Sequence, residues 1–170
     1  KKSIAAPLIM TPEYIMSSLD VFPIEFLDFK NIHETVFGDD ILKETVITAV
    51  DLRNQCEREI KSRLIGLRQG YISSLGDRQL LTERFVGSIA GYMPLFRGII
   101  FLMGKEPPTG KYDVISALSS SSGIDTDVFK RIVDIKKGKS KLSKAELDTI
   151  FEEFYTATEK LGKIIDDYQV

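Results

Sequence analysis

Cysteine and histidine are almost missing: the 170 residues hold one of each, Cys56 and His33. A lone cysteine forms no internal disulfide, and no Cys/His pair exists for a zinc site. A single histidine excludes a site with two histidine ligands and leaves a Ser/His/Asp triad no base but His33. A long apolar run is lacking too. The most apolar stretch, Pro94 to Met103, contains Arg97 and is too short for a bilayer, which takes about 20 residues. No signal-peptide pattern is visible. Nor is there an excess of positive charge: the net charge of −2 argues against a general nucleic-acid-binding surface. The phosphate-binding P-loop, G-x-G-x-x-G and G-x-S-x-G are all absent. The chain starts Lys1-Lys2-Ser3 without an initiator Met, and the expectation is a fragment of a longer protein. Its sparing thiol use makes the reducing cytoplasm the expected compartment, with Cys56 a buried, inert thiol on a helical stripe.

What is present is balanced. Hydrophobic residues make up 43% and charged residues 28%, as in a globular chain of one domain, or one domain plus part of another. Asp40 to Leu75 carries Leu42, Val46, Ala49, Cys56, Ile60, Leu64, Leu67, Tyr71 and Leu75 at steps of three, four or seven. That is one face of an α-helix, about 50 Å long if 33 residues take part. Glu57/Lys61 and Glu59/Arg63 stand at i,i+4 on its other face. Asp39 or Asp40 is its expected cap, and Gly66 and Gly70 are its weak points. Asp77 to Met103 repeats the pattern, and Lys111–Leu118 and a segment capped by Asp125 read as shorter helices. Ser143 and Glu146 form a capping box, with Leu142 and Leu147 as its hydrophobic staple. The helix they open shows a heptad seam of Leu147, Ile150, Phe154, Ala157, Leu161, Ile164 and Tyr168.

Ahead of these lies a different pattern. Thr11-Pro12-Glu13 starts a short helix ending near Leu19-Asp20. Ile4 to Met10 reads as the end of a strand, Val21 to Phe29 as the best strand, and Asn31 to Phe37 as a brief second one. The expected fold is mainly α: an up-and-down helical bundle with a short strand or hairpin near the N-terminus.

Three groups of residues could carry chemistry. Glu25, Asp28, Glu34, Asp39 and Asp40 crowd one segment, and oxygen ligands of that kind suit Mg2+, though most such acids serve as caps or turns. Gly87, Gly91, Pro94 and Gly98 recur at helical spacing, which means close approach of a neighbouring helix, a groove where a ligand meets bare backbone, or simple weakness with a kink at Pro94. Lys136, Lys137, Lys139 and Lys141 cluster around Gly138, as a solvated loop or a phosphate or nucleic-acid contact.

The run PLIMTPEYIMSSLDVFPIEFLDFK, then VFGDD, LRNQCEREIKSRLIGLRQGYI and KYDVISALSSSSGIDTDVF, resembles the C-terminal portion of bacterial nucleotidyltransferases of the polymerase-β-like superfamily. The resemblance implies that residues 1–39 are the remnant of a nucleotidyltransferase domain and 40–170 a helical bundle domain. The family's catalytic Gly-Ser turn and Asp-x-Asp pair have no counterpart, since Gly87-Ser88 lies mid-helix with no acidic pair after it. The implied role is therefore an accessory, substrate-binding one, not catalytic alone. Mg2+ and a nucleoside triphosphate belong to an intact parent, and the implied partner is the upstream catalytic domain. Glu25 or Asp28 could match the family's third carboxylate, and Arg53, Lys61, Arg63, Gly87, Gly91 and Gly98 are the expected contacts for an anionic substrate. The alternative is a protein-interaction or oligomerisation bundle, a homodimer included, if the heptad seam is exposed.

Overall fold

A computed structural model describes residues 6–138 and 143–170. Among them the chain is a bundle of seven packed helices with no strand: α1 (Pro12–Ser17), α2 (Pro23–Ile32), α3 (Ala49–Ser73), α4 (Arg78–Leu102), α5 (Lys111–Ser122), α6 (Asp127–Lys136) and α7 (Lys144–Asp167). Ile4 and Ala5, Lys139, Lys141 and Leu142, which entered the expectations above, lie outside the described residues.

The expected strand and hairpin near the N-terminus are corrected. Val21 to Phe29 falls largely in α2, with Pro23 in its first turn and Glu25 as its first-turn acid. Proline fits there because the first helical amides have no intrahelical partner to lose. The apolar residues that gave the segment two apolar faces as a strand instead bury Ile24, Phe26 and Leu27 in the bundle. Phe22 offers no side-chain cap, so the cap comes from another helix: Gln55 Oε1 of α3 accepts from Ile24 N at 2.7 Å. His33 to Phe37, expected in a second strand, follow α2 without regular structure, and residues 6–10 have none either. α2 packs against α3 and α4, although it precedes the expected boundary at residue 39.

α3 also starts later than expected. Its cap is Thr48, which accepts from Asp51 N at 3.1 Å, so 25 residues take part. Its length is then about 37 Å, not 50 Å. Asp40 is spent otherwise, on His33 and on Lys43 N. α4 matches α3 at 25 residues and keeps its helical form through Pro94. The turn between them puts Leu75 and Gly76 in the left-handed region, at φ 48° and 84°, and Asp77 caps α4. α5 runs further than expected, through the serines, which bond back to carbonyls four residues earlier, and stops at left-handed Gly123. Asp125 lies one residue ahead of the α6 cap, Thr126, though its Oδ1 does hold Asp127 N at 2.9 Å. The Ser143/Glu146 capping box forms as expected.

α4 is the hub. It packs against α2, α3, α5, α6 and α7, and Leu95, Phe96, Ile99 and Ile100 are almost wholly withdrawn from water. Tyr92, Phe96, Phe129 and Phe154 form an aromatic cluster joining α4, α6 and α7. The α7 seam buries Leu147, Ile150, Phe154, Ala157 and Leu161 inside the bundle, with Ile165 completing it rather than the half-buried Ile164. Cys56 is buried too, and burial pushes its thiol up to about 12, so it stays protonated and inert.

Gly98 sets how closely α3 and α2 can approach. A methyl group there would lie 3.2 Å from Cys56 Sγ, 3.3 Å from Leu52 Cδ1 and 3.6 Å from Ile24 Cγ1. A Cβ at Gly87 would meet nothing within 4 Å. The two glycines should therefore respond in opposite senses. Urea denaturation of Gly98→Val is expected to show a loss of about 1–3 kcal/mol from overpacking. Gly87→Ala is expected to gain about 0.5–1 kcal/mol, because only the helix-propensity cost is relieved.

Candidate functional site

The expected contacts are not gathered at one place. Arg53 closes the C-terminal end of α7: its Nε donates to Tyr168 O at 3.2 Å and its Nη2 to Asp166 O at 3.1 Å. A cation there satisfies carbonyls that the helix leaves unpaired. Lys61 joins the same end through Asp166 at 3.1 Å and also bonds Glu57, which holds the amine above its ordinary value. Both side chains tie α3 to the end of α7. Lys136 donates to Gly87 O at 3.2 Å, and Lys137 to Tyr112 Oη at 3.1 Å while lying 4.4 Å over that ring.

The carboxylates proposed for catalysis are likewise held by protein groups. Asp28 is buried and paired with Arg97 of α4, itself buried. Removing one partner of such a pair costs about 3–5 kcal/mol, because the other charge is left stranded. Glu25 is exposed and accepts from Gln55 Nε2 at 2.7 Å. Among the described residues no three His, Cys, Asp or Glu side chains are grouped so as to hold a metal ion. The donor set therefore does not fit the Mg2+ that the family resemblance implies for a parent enzyme.

Arg63 belongs to a different place, a cavity of about 490 Å³ between the C-terminal half of α3 and the N-terminal half of α4. Its α3 wall is Arg63, Gly66, Gly70 and Ser73, at steps of three, four and three, with Leu67 beside them. Its α4 wall includes Leu81, Arg84, Phe85, Ser88 and Tyr92, and Phe151 of α7 closes the floor. Such spacing puts each set on one helical face. Gly66 meets nothing within 4 Å of where a Cβ would stand, so the glycine does not serve packing; it leaves the cavity open. The floor is rigid: Phe151 stacks on Tyr71 at 4.8 Å and meets Phe85 edge-on at 6.3 Å. Tyr92 is buried, its hydroxyl 3.4 Å from Thr158 Oγ1, and burial pushes it up to about 12.

The two arginines of this groove differ. Arg63 is largely committed: its Nη2 donates to Glu59 at 3.1 Å and to Gly91 O at 2.9 Å, and its guanidinium lies 4.6 Å over the Tyr92 ring. Its Nε is buried without a partner. Arg84 bonds Ser73 Oγ and pairs with no carboxylate among the described residues. Among the described residues no aspartate or glutamate lines the cavity. Sequence reasoning named Arg63 and Gly91 here but missed Arg84, Ser73, Ser88 and Phe151. The signal was the Arg63-Gly66-Gly70-Ser73 stripe, two of whose members had been read as weak points of the helix. Gly98 is a packing glycine, and Gly87 lies on an exposed part of α4.

The chain matches no protein-family model, no curated protein and no solved structure.

His33, the lone histidine, closes the end of α2. Its Nδ1 faces Phe29 O and Lys30 O at 3.0 and 3.1 Å, and its Nε2 faces Asp40 Oδ1 at 2.8 Å. Only the imidazolium can donate from both nitrogens at once. The bond to Asp40 accordingly raises His33 above the ordinary 6.5, and Asp40 is lowered from 3.8, chiefly by the same bond. A raised histidine contributes stability that is complete below its unfolded value and fades as pH climbs through the folded one; the lowered Asp40 contribution is lost only in acid. The urea midpoint of His33→Gln should thus fall short of the parent's at pH 5.5 and approach it by pH 8.5. An equal gap at both pH values would contradict the ionised pair.

Proposed function

We propose that the chain is the helical accessory domain of a nucleotidyltransferase-like protein, and that it holds the acceptor substrate in the groove between α3 and α4 while a separate catalytic domain supplies the chemistry. The observation that carries this reading is the composition of the groove among the described residues: two arginines, two serines and a glutamine around an apolar floor, with no acid in the lining. A cleft of several hundred Å³, mostly apolar with a few convergent polar groups, is the usual form of a small-molecule site. The role in nucleotide transfer rests on the sequence resemblance alone. The engagement of Asp28 with Arg97 and of Glu25 with Gln55 supports a chain that contributes binding rather than metal-held phosphates.

A second reading, a protein-interaction or oligomerisation bundle, draws on a separate observation. Leu8, Ile9, Val36, Phe37 and Val46 are each more than 70% exposed, all in the segments before α3. Large apolar side chains exposed to this degree are the kind of surface that partners cover when they lie together. The α7 seam no longer supports that reading, because the bundle itself consumes it.

The test is nucleotide transfer with Mg2+ and a nucleoside triphosphate over a panel of acceptors. The expected result is no transfer by this chain alone, and transfer when a polymerase-β-like catalytic domain encoded with it is supplied. Filling the groove with Gly66→Leu should then abolish that transfer. Transfer by this chain alone, or transfer indifferent to the filled groove, would overturn the proposal; self-association with an unused groove would favour the second reading.

A further inference from the structure

The chemistry of the groove narrows its ligand, on the premise that the α3–α4 cavity is the binding site proposed above. Charge comes first. Arg63 already answers to Glu59, to the Gly91 carbonyl and to the Tyr92 ring, so its charge is compensated within the protein. Among the described residues Arg84 has only the Ser73 hydroxyl, and no carboxylate lines the cavity. Among those residues the groove therefore holds one positive charge without a carboxylate partner. A polyphosphate would bring several negative charges against that one cation, onto a lining in which Leu67, Leu81, Phe85 and Phe151 offer them nothing.

Shape agrees. The apolar side chains form the floor, Arg84 and Ser73 come from facing helices, and Gly66 leaves the α3 wall bare, while at Gly70 the Arg84 Cδ stands 3.9 Å from where a Cβ would be. A ligand lying between them meets backbone and flat apolar surface along its body and a guanidinium at its head. We infer that the groove between α3 and α4 binds an amphiphilic monoanion: one carboxylate, sulfonate or phosphate-ester head on Arg84 and Ser73, and an apolar or aromatic body over Phe85 and Phe151. It is an acceptor-side site and not the place of a nucleoside triphosphate.

The full chain is titrated with 1-anilinonaphthalene-8-sulfonate, followed by fluorescence, beside the uncharged N-phenyl-1-naphthylamine. The expected result is one saturable site for the sulfonate. Arg84→Ala should weaken it about tenfold or more, the loss of one charge-assisted contact, while leaving the uncharged probe unaffected. Gly66→Leu, placed where a side chain meets open space, should abolish binding of both probes with the melting temperature kept or raised. Arg68→Ala, on the same helix but bonded to Tyr155 outside the groove, should change neither. Competition with decanoate and with phenyl phosphate distinguishes an aliphatic from an aromatic body, and displacement by either supports the inference. Displacement by ATP in preference to both overturns the monoanion assignment while leaving a binding groove. Sulfonate binding indifferent to Arg84→Ala and Gly66→Leu, or no binding at all, overturns the site itself and the proposed function with it.

Discussion

The burial of α4 is the constraint from which the rest of the fold follows. By length and composition residues 79–102 would suffice to cross a membrane, yet 67% of the most apolar stretch within them is buried by the protein's own helices. The C-terminal half of α4, where Leu95 to Ile100 are all buried, must be surrounded, and the helix packs against five others. Four of the neighbours are matched to particular residues of α4. Gly98 admits Leu52 and Cys56 of α3 at contact distance. Arg97, a charge in the middle of the apolar stretch, requires Asp28 and so fixes α2. Phe96 and Tyr92 set the packing of α6 and α7 through Phe129 and Phe154. Because both Arg97 and Asp28 are buried, losing either would strand the other charge, which ties the position of α2 to that of α4.

The groove is where that enclosure lapses. Towards its N-terminus α4 still presents Leu81 and Phe85, both buried, but the facing stretch of α3 offers Gly66 and Gly70 instead of side chains that would fill the space. Two interior glycines cost α3 about 2 kcal/mol of helix propensity together. Close packing does not account for that cost at Gly66, where a side chain would meet nothing. An open cleft with Arg84 at its edge does. The groove thus lies where α3 and α4 are spaced apart by glycine, over Leu81 and Phe85 that the rest of the bundle already buries.

Much of this was legible in the sequence, in a patterned way. The long helices, the Ser143/Glu146 box, the Glu57–Lys61 and Glu59–Arg63 pairs and the inert Cys56 follow from local spacing, and the structure has them all. The segment around Pro23 misled because alternating apolar residues fit a strand and a short, deeply buried helix equally well. The deciding feature was Pro23 with Glu25 in the first turn, which resembles the Pro12-Glu13 start of α1 but lacks its Thr11 cap. Arg53 and Lys61 misled for another reason. Their partners at the end of α7 lie more than 100 residues away, so a helix surface that looks open in sequence is closed in space. The groove was half visible: its α3 wall is a helical stripe, but recognising a cavity required the register of α3 against α4, which neither helix encodes alone.

Native-state hydrogen exchange followed amide by amide tests the central claim most directly. If α4 is the enclosed hub, the amides of Leu95 to Ile100 exchange only when the whole molecule unfolds, with a free energy equal to that from denaturant melting and at least as high as any in α3 or α7. Exchange of those amides through a local opening cheaper than global unfolding, with α3 and α7 still protected, would contradict the account.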